Sequence, residues 1–161
     1  MNEYTVPSSF SFAKEISNLN LEEGSVMASF DVKSLFTNIP LKETIEIIID
    51  KLFQSNKEFI DCFLNNDEDE ITCLKKSEFR DLLEKAVLDM HFTFDGNIYK
   101  QIDGVAMGSP LGPTLANTFM CHMEEKWMSD YPSDFKPTFY RRYVDDTFLI
   151  FKSVSHMPLF F

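Results

Sequence analysis

The stretch FYRRYVDDTFLIF, Phe139 to Phe151, sets two adjacent carboxylates, Asp145 and Asp146, between two apolar runs. Its alternation predicts strand, tight turn, strand, with Tyr143 and Asp145 on one face and Val144 and Asp146 on the other. The return run, Phe148 to Phe151, is apolar on both faces, which puts the hairpin in the middle of a covered sheet. Its turn is then the place for charge. Asp favours turns, and a solvated pair would need no further reason. A third carboxylate argues for one. SVMASFDV, Ser25 to Val32, reads as a second buried strand, and Asp31 stands at its end. Strand ends in open sheets are where sites gather. No Lys or Arg flanks the Asp pair on its C-terminal side, and Arg141 and Arg142 lie back along the strand. Two carboxylates about 4 Å apart at an effective dielectric near 20 repel by roughly 4 kcal/mol. A divalent cation relieves that repulsion. Oxygen-only ligands without His or Cys favour Mg²⁺ or Mn²⁺ over zinc. A pair of such ions about 3.5–4 Å apart is a device for phosphoryl transfer.

Composition points the other way. The net charge is −11, with 15 basic residues against 26 acidic, which argues against a nucleic-acid-binding module taken alone. Part of the acid sits in NNDEDE, Asn65 to Glu70, which reads as a solvated loop. A calcium loop would need regular ligand spacing and a turn Gly, and both are missing there. The 161 residues and 44% apolar content describe one globular domain. The 17 Phe need a core or a partner surface. Cys62, Cys73 and Cys121 form no CxxC pair, which argues against a disulfide framework. His91, His122 and His156 show no zinc spacing, and Cys121-His122 reads as core packing. No apolar run reaches membrane-spanning length, and MNEYTVPSSF lacks the pattern of a signal peptide. The expectation is a soluble intracellular chain with no membrane partner, nucleus and cytoplasm being indistinguishable.

Around these strands the periodicity predicts helices. Phe10, Phe12, Ile16 and Leu19 suit a short one. Pro40 opens another, with Leu41, Ile45, Ile48, Ile49 and Leu52 on one face. Phe79, Leu82, Leu83, Ala86, Val87 and Met90 share a face of a third. HFTFDGNIYKQI reads as a hairpin turning at Asp95-Gly96. GVAMGSPLG holds three of only 5 glycines, Gly104, Gly108 and Gly112, which suggests backbone that approaches something closely; the plainer reading is a loop with Pro110 and Pro113 that starts a helix. It leads into a helix with Leu115, Ala116, Phe119, Met120, Met123 and Trp127 on one face. Neither a P-loop nor a dinucleotide fingerprint is present. The alternation of strands and helices implies an α+β fold, a sheet covered by helices.

Three segments, SFDVKSLFTNIP with Asp31, GVAMGSPLGPTLANTFM around Met107-Gly108, and YVDD with Asp145 and Asp146, resemble a reverse transcriptase, most of all the Penelope-like retroelements. The likeness covers residues 25 to 152. It implies a polymerase palm-type fold, a small antiparallel sheet of three or four strands backed by helices, with partial fingers and no thumb. Residues 1–161 would form a single partial domain with the palm core at 25–152, lacking the basic fingers region and the thumb. Asp31 and Asp145 would hold both Mg²⁺ or Mn²⁺ ions, with Asp146 as the third, less direct carboxylate. Val32 and the main chain after Asp31 would touch the triphosphate. Phe36 would lie under the nucleotide sugar and select deoxynucleotides, unless its ring is simply packed in the core. Met107, Gly108 and Ser109 would support the incoming base and the template. The implied partners are an RNA template, a DNA primer and deoxynucleoside triphosphates, held weakly by so acidic a chain. A fragment of this extent is expected to extend primers barely or not at all. A degenerate, non-catalytic relic or interaction domain is the alternative, and a metal-dependent nuclease is a weaker one.

Overall fold

The computed structural model describes residues 2–54, 59–63, 71–106 and 108–159. The acidic run Asn65 to Glu70 lies outside them. Its elements in chain order are α1 (Ser9–Ile16), β1 (Val26–Asp31), α2 (Leu35–Asn38), α3 (Leu41–Leu52), β2 (Phe59–Phe63), β3 (Ile71–Lys75), α4 (Lys76–Leu88), β4 (His91–Phe94), β5 (Asn97–Lys100), α5 (Gly112–Asp130), β6 (Phe139–Tyr143) and β7 (Asp146–Phe151). The chain divides into two compact units, Met1–Leu35 with Phe119–Phe161, and Phe36–Thr118.

The first unit is built on an antiparallel sheet of order β1-β7-β6. The most apolar strand, β7, is central, as its two apolar faces require, and Leu149, Ile150 and Phe151 are buried. On one face Tyr140, Leu149 and Phe151 pack with Tyr4, Ala28, Phe30, Met128 and Met157. On the other, Phe148 meets Phe12 of α1 and Phe139 edge-on. The N-terminal segment covers the open edge of β6: Val6 N–H donates to the Arg142 carbonyl and Arg142 N–H to the Tyr4 carbonyl, both at 2.8 Å. An edge so paired no longer offers a template for another chain. The helix expected near the N-terminus forms, started by a capping box between Ser8 and Ser11, yet none of its residues is buried.

In the second unit α4 packs on α3, with Phe53 against Phe79, and Arg80 forks onto Glu46. The buried face of α3 is Leu41, Thr44, Ile45, Ile47 and Ile49. Thr44 fits there because its hydroxyl donates to the Pro40 carbonyl, 2.9 Å. The expected stripes are too wide: Leu52 is exposed, and on α4 only Leu83 and Val87 are buried while Leu82 and Ala86 stay in water. β2 and β3 form a two-stranded antiparallel ribbon that periodicity had not indicated. The β4–β5 hairpin turns at Asp95-Gly96, both at positive φ, as a two-residue loop demands. All eight strand residues are exposed, with Phe92 stacked on Tyr99.

Candidate functional site

Pairing of β1 with β7 sets Asp31 directly opposite Asp146, and β6 returns into β7 through a two-residue loop, Val144-Asp145. Direct cross-strand partners share a face. Asp31 and Asp146 therefore stand on the same side as Tyr143, Ser29, Phe148 and Arg141. Simple alternation had put Tyr143 with Asp145. The loop interrupts the strand, so Tyr143 pairs with Asp146 across it. Val32 N–H donates to the Asp145 carbonyl at 2.9 Å, which fastens the end of β1 to the loop.

Like charges opposite one another on neighbouring strands are destabilising. Among the described residues no Lys or Arg is ion-paired with Asp31, Asp145 or Asp146. Arg141 is turned to Glu15, with Nε at 2.9 and 3.0 Å from its two oxygens, and stacks over Phe139. Arg142 is turned to Glu124, with Nε at 2.5 Å and Nη2 at 3.3 Å. Asp31 and Asp146 are exposed and Asp145 is half-buried. Among the described residues no three acidic, His or Cys side chains are gathered closely enough to hold one ion. The backbone brings the three aspartates together without drawing their side chains onto one point. As a donor set they offer hard carboxylate oxygens, which suit a divalent cation. Beside Asp146, a cavity of about 390 Å³ lined by Val6, Phe12, Arg141, Tyr143 and Phe148 leaves room for a ligand group.

The loop itself is strained. Val144 has φ of 58°, an outlier for a β-branched residue, while Asp145 keeps negative φ. Arg142 Nη1 donates to the Val144 carbonyl at 2.9 Å. Arg142 and Glu124 are 1% and 0% exposed. Glu124 also accepts from Tyr140 Oη and from Asn2 Nδ2, each at 3.0 Å. Burial, then the Glu124 charge, push the Tyr140 phenol far above its ordinary range. Sequence reasoning missed this network. The signal was there: Glu124 follows Met120 by four on α5, so a carboxylate falls on the helix's buried stripe.

The other expected site residues belong to the second unit. Phe36 is half-buried; its carbonyl accepts from Val105 N–H at 2.7 Å. The close approach expected of the glycines is met at Gly104, where it is to the chain's own backbone. A Cβ there would stand 2.5 Å from the Thr37 Cα and carbonyl oxygen, at φ of 71°. Gly108, at φ of 89°, faces open space. Ser109 N–H donates to the Ala106 carbonyl at 3.0 Å. Met107 lies outside the described residues. The structure thus brings together Asp31, Val32, Asp145 and Asp146, and places Phe36, Gly108 and Ser109 in the other unit.

A family model described as reverse transcriptase (RNA-dependent DNA polymerase) matches residues 3–159. No curated protein matches the chain. Among solved structures, apo telomerase from Candida tropicalis, truncated from its C-terminal domain, is similar at a TM-score of 0.72 and 16% identity, over 96% of this chain and 31% of that one. Telomerase from Candida albicans in complex with a fragment of telomeric RNA is similar at 0.73 and 15%, over 97% of this chain and 28% of that one. This chain therefore spans about a third of the length of those proteins, and at such identity the likeness supports the fold, an α+β palm with small antiparallel sheets. The family match, extending over nearly every residue, carries the assignment: the chain belongs to the reverse transcriptase (RNA-dependent DNA polymerase) family.

Proposed function

We propose that this chain is the palm-centred part of an RNA-directed DNA polymerase from a Penelope-like retroelement, extending a DNA primer by two-metal nucleotidyl transfer. The observation that carries the reading is Asp31 opposite Asp146, with Asp145 in the loop between β6 and β7 and, among the described residues, no Lys or Arg ion-paired with any of the three. Asp31 and Asp145 bind the two cations and Asp146 adds a third carboxylate. Bound Mg²⁺ or Mn²⁺ supplies activation of the primer 3′-hydroxyl and neutralisation of the leaving pyrophosphate. Val32 gives its N–H to Asp145, so main-chain contact with the triphosphate falls to the residues after it. Phe36 excludes a 2′-hydroxyl, and Met107, Gly108 and Ser109 support the incoming base and the RNA template. Such templates and deoxynucleotides are found inside the cell, so the reaction is intracellular. A net charge of −11 gives the chain by itself a poor grip on phosphates, and its extension rate is correspondingly low.

Primer extension on an RNA template at low ionic strength, with Mg²⁺ or Mn²⁺, tests this. The expected result is weak, metal-dependent synthesis that Asp145→Asn lowers by about 100-fold. Synthesis at the same rate in Asp145→Asn would sink the assignment. A second reading, an interaction domain without catalysis, draws on the exposed rings and side chains Phe92, Phe94, Ile98 and Ile102. It predicts no extension and a chain that self-associates through this surface.

A further inference from the structure

The loop that presents Asp145 contains a residue poorly suited to it. Val144 at φ of 58° is under strain that costs roughly 1–2 kcal/mol. Something must hold it there. Two successive carbonyls of this loop are pinned from different elements: Val144's by Arg142 Nη1 at 2.9 Å, Asp145's by Val32 N–H at 2.9 Å. The guanidinium is itself fixed, because Glu124 takes its Nε and Nη2 edge, and Tyr140 and Asn2 fix Glu124. A buried ion pair contributes little net stability against apolar residues of similar volume. What an apolar pair could not do is aim a rigid donor at the Val144 carbonyl.

We propose that Arg142, held by Glu124, is a positioning residue that clamps the Val144 carbonyl and so aims Asp145 and Asp146. What the aimed carboxylates do rests on the function proposed above; the clamp itself does not. Lysine at this position keeps the charge but lacks the planar fork whose separate nitrogens reach Glu124 and the carbonyl in fixed directions.

The full chain is compared with Arg142→Lys and with Arg142→Met/Glu124→Gln, which removes both charges at once. Two readouts are independent of catalysis: amide exchange at Val32, whose N–H meets the loop, and Mn²⁺ affinity by electron paramagnetic resonance. Losing one hydrogen bond from a charged donor should speed Val32 exchange and weaken Mn²⁺ about tenfold, while β7 amides stay protected. Adding Val144→Gly should restore Val32 protection in Arg142→Lys, because a relaxed loop needs no clamp. Native Val32 protection in either folded variant, or no rescue by Val144→Gly, would overturn the clamp. If Asp145→Asn leaves Mn²⁺ binding of the parent chain unchanged, the metal assignment fails and the exchange data alone decide the clamp.

Discussion

At Val144 the side chain and the backbone disagree. A φ of 58° suits glycine, and the side chain is 44% exposed, so little packing is lost by removing it. Val144→Gly should leave stability unchanged or raise it by up to about 1 kcal/mol, read from urea unfolding. Tyr140 gives a pH signature. Its phenol is raised above 10.0 in the fold, so the folded state keeps a proton that the unfolded chain sheds. That contribution is whole below pH 10 and is lost as pH rises above it, by up to about 1.4 kcal/mol per pH unit. Tyr140→Phe should flatten the alkaline limb of the stability curve, Tyr4 supplying part of what remains. The aspartates were legible in the sequence because each charge interrupts an apolar run. Glu124 could be placed on the buried stripe of α5, but its pairing with Arg142 could not be read, because that partner lies eighteen residues away.

Among the elements, the glycines separate two uses of one residue type. Gly104 is needed for both φ and space, since Thr37 backbone lies where a Cβ would go. Gly104→Ala should cost about 3 kcal/mol or more, from overpacking and strain together. Gly108→Ala meets nothing and should cost only about 1 kcal/mol of backbone strain. Chemical denaturation of the two variants makes the comparison. The DG turn and the strands β1, β6 and β7 followed from local pattern. The exposure of β4–β5 did not, because alternation says which face is apolar and not whether anything covers it.

For the whole molecule the acidic balance governs partners. At least five of the 15 basic residues, Lys76, Arg80, Lys100, Arg141 and Arg142, are already paired with carboxylates. The remainder, at most ten of the 15, stand among 26 acidic residues that compete with phosphate for them. Binding to an RNA–DNA duplex should show a log–log salt slope of about −3 or shallower, three phosphate contacts or fewer. Fluorescence anisotropy across a salt series measures it, and a slope near −6 would reveal a basic patch that the charge total conceals.

Residue order alone determined the apolar strands, the turn chemistry and the three carboxylates at their ends, because these depend on neighbours two to four positions away. Tertiary structure decided the register that sets Asp31 against Asp146, the backbone that Gly104 must clear, and the buried Arg142–Glu124 pair behind the loop. Each of those joins segments far apart in the chain, and a pattern read along the chain carries no information about which distant groups will satisfy one another.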